Sequence, residues 1–346
     1  MRVEVESTTT LAFADGSPVR AASAIAPFGD GWLVAQDDAT HAAWWRAGSV
    51  TAVRVIEPVE GLDVFGSAAG TKHLKPDFEA ACAVTVGGRP GVLLLGSGST
   101  AARMRASLVS LDTTCSVAEL GPLYRRVAEV LGVRGDRLNL EGACLVGDRL
   151  RWFHRANAAA GTPSASVDVD ASALLAAVTG HGAAADAGVS DSSAAADVGV
   201  SDSGTAADVG VSDSGAAADA GVSDSGTGAD VGVSDPRRYE LGAVGGVALA
   251  VTDALALPDG RILVSAAAED TPNAVDDGPV VAAALALLDD RAVLATAELP
   301  GLPGGACKVE GIALRETTPD GVRLWAVADA DDPAAASLCL ALRVHW

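Results

Sequence analysis

Along most of the chain, short apolar runs alternate with turn residues at close spacing, and the runs are too short for core helices. "GWLVAQDD" at 31–38 is followed by "HAAWWRAG" at 41–48 and "SVTAVRVIEP" at 49–58. "ACAVTV" at 81–86, "GVLLLGS" at 91–97, "RASLVSLD" at 105–112 and "CSVAELGP" at 115–122 keep the same rhythm. Runs of this length, rich in Val and Leu and bounded by Gly, Asp and Pro, read as strands joined by tight turns.

The strands come in repeated units. Ser23 precedes "AIAP", Glu79 precedes "AACAV", Glu141 precedes "GACLV", Asp253 precedes "ALALP" and Glu310 precedes "GIAL". The intervals are 56, 62, 112 and 57 residues, and setting aside about 54 inserted residues brings the third to about 58. Four strands recur per step, as in "LALP", "RILVSAAAED", "VVAAALALLDD" and "AVLATAELPG" of the fourth unit. This pattern predicts an all-β fold, a β-propeller of five four-stranded blades in a single domain over 1–346. The last unit, "GIALRE", "VRLWAVADAD" and "SLCLALRVHW", supplies only three strands, so "RVEVESTTTLAF" at 2–13 is expected to complete it and close the ring. Such closure removes an exposed edge. Six blades stay open if "LYRRVAEVLG" at 123–132 is a degenerate blade, although its spacing is helical.

One segment breaks the pattern. From 183 to 235 an 11-residue repeat of the form "AAADVGVSDSG" contains ten Asp and no Lys, Arg or Glu. Its Ala, Gly, Ser and Val bury too little surface to offset chain entropy, so it reads as a disordered acidic loop. Calcium-binding repeat helices use a nine-residue period with paired glycines, which is absent here. In the third unit "RWFHRAN" and "SASVDVDASALL" read as strands two and three and "RRYELGAV" as strand four. The insertion therefore falls in the hairpin between strands three and four.

Charge and cysteine content narrow the function. The net charge is −21, and the insertion carries about half of it. A surface this acidic argues against nucleic acid and anionic membranes as partners. No apolar run approaches the roughly 18 residues of a membrane span, and "MRVEVESTTT" lacks a signal pattern, so a cytoplasmic location is expected. The five cysteines are widely spaced with no CxxC pair and read as free thiols.

In a propeller the first strand of each blade lines the channel, and its start meets the end of the second strand at one mouth. Glu79, Glu141, Asp253 and Glu310 should ring that mouth. Joining them from the strand-two ends are Gln36, Asp37, Ser97, Ser99, His154, Asn157, Glu269, Asp270, Asp329 and Asp331. Carboxylates gathered this closely repel, and they protonate, pair with cations or bind a metal. Oxygen ligands suit Ca²⁺ or Mg²⁺, with Glu79, Glu141, Asp253, Glu269, Asp270 and Glu310 as candidates. An equally simple expectation is that each acid caps the backbone of the next blade. Lys72, His73, Lys75 and Lys308 precede the glutamates, while Arg103, Arg105 and Arg155 follow strand two. Of these, Lys72, His73 and Lys308, with Asn157, are candidates for holding an anionic substrate group.

Other motifs are weaker. "GSGST" at 96–100 lacks the lysine of a nucleotide loop, and no GxSxG elbow is present. "WW" at 44–45 reads as packing rather than a sugar platform. The glutamate and small residues that open the blades resemble those of phytase-like, esterase-like bacterial β-propellers and similar poorly characterised bacterial propeller families. That resemblance implies an acidic, calcium-binding mouth and ester or phosphoester hydrolysis, and it extends to Glu79, Glu141 and Glu310. Ser23 and Asp253 depart from it. The expected activity is metal-dependent hydrolysis of a small ester or phosphoester, with Glu141 or Glu310 as base, His154 assisting, and Arg155 or Lys308 neutralising the leaving anion. The competing expectation is a non-enzymatic binding or protein-interaction module.

Overall fold

The computed structural model describes residues 1–157, 161–180, 231–270, 278–302, 305–329, 332 and 335–346. The repeat positions 183–230, and Asp331, lie outside the described residues.

Strand β1 (Arg2–Thr10) begins the chain and belongs to the last sheet. The first blade is β2 (Ala22–Phe28), β3 (Gly31–Gln36), β4 (His41–Arg46) and β5 (Ser49–Arg54). The second is β6 (Phe78–Val86), β7 (Arg89–Gly96), β8 (Arg105–Ser110) and β9 (Cys115–Glu119), followed by helix α1 (Gly121–Leu131). The third is β10 (Leu140–Val146), β11 (Arg149–His154), β12 (Ser164–Asp170) and, after helix α2 (Ala171–Thr179), β13 (Val233–Tyr239). The fourth gains a short extra strand beside its innermost one: β14 (Ala243–Val244), β15 (Val247–Ala256), β16 (Ile262–Glu269), β17 (Val280–Leu288) and β18 (Val293–Glu298). The fifth runs β19 (Lys308–Thr318), β20 (Gly321–Asp329), β21 (Leu338–His345), with β1 added antiparallel outside β21. Each blade's first strand contacts the first strands of its two neighbours, so the ring closes at five.

Period-two alternation explains the packing. Along β17, Ala282, Ala284, Ala286 and Leu288 join the core shared with the third blade, while Ala283, Leu285 and Leu287 join the core shared with the fifth. A strand buried on both faces reads as a continuous apolar run, and small residues let neighbouring sheets approach. At the blade 5 to blade 1 seam, Trp45 meets Trp325 edge-on with ring centroids 4.7 Å apart. Trp44, the other half of the tryptophan pair, donates its indole N–H to Phe28 O at 3.0 Å. Both act in packing.

Residues 123–131 are helical, as their spacing predicts, and leave five blades: Leu123, Tyr124, Val127, Ala128 and Leu131 form one buried stripe. Two boundaries differ from the sequence reading. "SASVDVDASALL" is half strand and half helix, because the Asp170 side chain caps α2 by accepting from Ala173 N at 2.9 Å. The last repeat copy is not all loop, since Val231 is buried and residues 233–235 open β13. There the Val-x-Val spacing of the repeat meets a strand partner, and its alternation is used.

Candidate functional site

Every first strand is interrupted near its start by a bulge, which falls at Ser23, Glu79, Glu141, Thr252 and Glu310. A bulge re-aims one side chain out of the ladder. In the first and fourth blades that side chain is a hydroxyl, and it ties to the neighbouring blade. Ser23 Oγ donates to Phe78 O and Thr252 Oγ1 to Val309 O, both at 2.6 Å. In the other three it is a glutamate at the channel mouth.

This corrects the place of Asp253. The residue equivalent to the glutamates is Thr252, and Asp253 lies one step further into β15, opposite Ser265. Its Oδ2 accepts from Ile312 N at 2.7 Å, linking blades four and five, and burial raises its carboxyl well above the usual range. Glycine follows Glu141 and Glu310 because the next blade's backbone leaves no room for a side chain. A Cβ on Gly142 would lie 2.8 Å from Asp253 Cα, and one on Gly311 2.7 Å from Ala24 Cα.

The mouth carries two ionic groups. In blades three to five, Arg155 lies 2.9 Å from Glu141 and 2.8 Å from Glu269, and Lys308 lies 3.1 Å from Glu269 and 2.6 Å from Glu310. Asn139 Nδ2 donates to Glu141 at 2.6 Å. In blades one and two, Lys75 Nζ lies 2.5 Å from both Asp37 and Asp77 and 4.0 Å from Glu79. Arg103 is 3.0 Å from Asp77, which also accepts from the Ser97 and Ser99 hydroxyls.

The acids titrate unequally. Burial and the nearby Asp77 and Asp37 raise Glu79 well above the carboxylate range, with Lys75 opposing. Burial pushes Glu141 up to about 7 against the pull of Arg155. Burial would raise Glu269 too, but Arg155 and Lys308 together hold it below its usual value. Among the six carboxyls at Asp37, Asp77, Glu79, Glu141, Glu269 and Glu310, only Glu79 has no cation nearer than 4.0 Å in the described residues.

The other candidates scatter. His154 is fully buried, with Nδ1 2.9 Å from Asn139 O, and burial lowers it to about 4. Its neighbour Arg155 reaches the mouth, because successive residues at a strand end face opposite ways. Asp270 is exposed at the rim, where its backbone N–H donates to Pro279 O, and Asn157 pairs with Thr162 in a loop bridge. Lys72 and His73 stand on an exposed lip and, with Thr100 and Arg103, line an adjoining cleft of about 600 Å³. Arg105 pairs instead with Glu119, 3.3 Å away on β9. A second cleft, about 470 Å³, lies at the far ends of β2, β6 and β10 and is lined without any ionisable side chain.

Asp77 and Asn139 were missed. Each stands two residues before a glutamate, as Lys308 stands two before Glu310, so polar–apolar–Glu at 77–79, 139–141 and 308–310 is the signal that marks them.

A divalent ion fits this arrangement poorly. The oxygens of Asp37, Asp77 and Glu79 lie within 4.8 Å of one another, but Ca²⁺ wants about six to eight oxygen ligands and Lys75 Nζ already stands among these three. The carboxyls of the other group are bridged by Arg155 and Lys308.

A sequence profile for a family of unknown function, DUF6929, matches residues 18–221. The chain belongs to that family. A second family of unknown function, DUF6910, matches residues 207–333, so the two matches meet inside the acidic repeat. DUF6929 thus spans the first two blades and most of the third, including Glu79, Glu141 and Arg155. No curated protein matches the chain. Among the described residues no helix is long and apolar enough to cross a membrane.

Proposed function

We propose that the channel mouth binds a small organic anion and hydrolyses its ester or phosphoester bond by acid–base catalysis between carboxyl groups. The observation that carries this reading is the pair Glu79 and Glu141. Both sit at the mouth, and both are held above the ordinary carboxyl range by burial and acidic neighbours. Perturbed acids in a cleft are candidates for catalysis. Glu141, which changes charge near neutrality, takes a proton from water as the water attacks the acyl carbon or phosphorus. Glu79, whose carboxyl is raised by burial and by the nearby Asp77 and Asp37, gives its proton to the leaving oxygen as the C–O or P–O bond breaks. Lys72, His73 and Arg103 line the adjoining cleft and would receive the anionic group.

The test is a screen of anionic esters and phosphoesters against wild type and Glu79→Gln. A group acting in proton transfer contributes about 10²–10⁴-fold, so the variant should lose at least about 100-fold in kcat with its fold unchanged. Retained turnover by Glu79→Gln would sink the assignment.

A non-enzymatic reading rests on a different observation: five of the six mouth carboxyls are already bonded to cations, and Ser23, Thr252 and Asp253 tie blade to blade. If the ring is only structural, Glu79→Gln raises stability by removing a buried acid and changes no ligand affinity.

A further inference from the structure

We propose that Lys75 is a tethered cation that fills the acidic seat of Asp37, Asp77 and Glu79 and so closes the channel mouth to divalent metal ions. The inference does not depend on the catalytic reading.

The seat is built by backbone as well as by charge. Asp77 N donates to Asp37 O and Ser97 N donates to Asp77 O, both at 3.0 Å, so Asp77 is pinned between the strand-two ends of the first and second blades. Asp77 holds a left-handed φ of 60°, which turns its carboxyl inward. The lysine arrives on an equally fixed path. Lys75 ends a single 3₁₀ turn over Lys72–Leu74 in an extended conformation, φ −58° and ψ 140°, as a residue before proline should. Pro76 is buried. The side chain itself is only 12% exposed, so the ammonium is enclosed among these acids.

The nature of the contact points the same way. Asp77 Oδ1 is buried and lies 2.5 Å from Lys75 Nζ, with no other polar partner among the described residues, so the ammonium alone compensates that oxygen. Burial disfavours the charge on Lys75, but the Asp37 and Asp77 carboxylates outweigh it and keep the ammonium charged. A compact ammonium with three donors suits a three-acid seat as a point charge. The same device recurs across the ring, where Lys308 stands between Glu269 and Glu310. Removing the tether leaves carboxyls that repel one another unless they protonate or take a cation from solution.

The experiment titrates Ca²⁺ calorimetrically into chelator-stripped full-length protein as wild type, Lys75→Ala, Lys75→Gln and Lys75→Ala/Asp77→Asn. Loose binding by the Asp-rich repeat is common to all four and cancels in the comparison. Lys75→Ala should gain one saturable site at least tenfold tighter than any mouth site of wild type, and the added Asp77→Asn should abolish it. Melting should show the same contrast, with Ca²⁺ raising the Tm of Lys75→Ala and leaving wild type unchanged. If Lys75→Ala folds only with Ca²⁺ present, that is the same result read through folding. If it does not fold at all, Lys75→Gln, which removes the charge but keeps part of the side chain's bulk, carries the measurement. The proposal is overturned if wild type binds one saturable Ca²⁺ that Lys75→Ala/Asp77→Asn lacks, or if a folded Lys75 variant gains no site.

Discussion

Gly142 and Glu141 are adjacent and do opposite work. The glutamate is aimed into the mouth by a bulge, and the glycine lets the backbone of β15 pass within 2.8 Å of where its Cβ would be. Forcing a methyl group into such a contact costs about 1–3 kcal/mol. Gly142→Ala should therefore lower the urea-unfolding free energy by that amount, whereas Gly135→Ala, where a Cβ meets nothing within 4 Å, should stay within about 0.5 kcal/mol. Equal effects at both positions would mean that close approach of the inner strands is not what demands glycine. The same scale shows why some candidates were legible and others not. Glu79, Glu141 and Glu310 repeat in register and were readable. His154 and Arg155 were not separable, because which of two neighbours faces the channel depends on the pleat at the end of β11.

At the scale of elements, β1 depends most on partners far away in the chain. Its residues Arg2–Thr10 pair with His345–Leu338, and on the other side of β21 lies β20, so β1 completes the fifth sheet. Most of its residues are partly or fully exposed, and only Val3, with Met1 and Val5 beside it, packs into the core between the fourth and fifth blades. Removing residues 2–10 should bare the β21 edge, lower the Tm sharply and promote aggregation, read by scanning calorimetry and light scattering. An unchanged Tm would mean the ring is closed by packing alone. The closing strand was legible because the last unit lacked one. Helix α2 was not, since "VDVDASALL" alternates like a strand until Asp170 supplies a cap and the apolar face of the helix packs at Leu174 and Val178.

At the scale of the molecule, buried acids and a buried imidazole shape stability against pH from opposite sides. Glu141 is raised to about 7, so from its ordinary value near 4.5 up to about 7 the folded state keeps a proton that the unfolded chain has released. Stability falls as pH rises through that window. Glu79 and Asp253, also raised, act in the same sense. His154 is lowered to about 4, so between 6.5 and 4 the unfolded chain takes up a proton that the folded state refuses, and stability falls as pH falls. Urea midpoints should peak in weakly acidic solution. Glu141→Gln should flatten the alkaline limb and His154→Gln the acid limb. A variant that left its limb unchanged would remove that group from the account.

The fold settled that the repeat closes at five, while the all-β class, the blade-length repeat, the closing strand and the three glutamates were legible in the sequence by itself. These follow from period-two alternation, from spacing and from a missing fourth strand, all of which are local or additive properties. The three-dimensional arrangement was needed to show that Thr252 rather than Asp253 matches the glutamates, that His154 is buried while Arg155 reaches the mouth, and that Lys75 stands among the acids of the first two blades. Those outcomes depend on bulge position and on distances between residues of different blades. Spacing along the chain brings the charges to one mouth, but only the fold determines which of them meet.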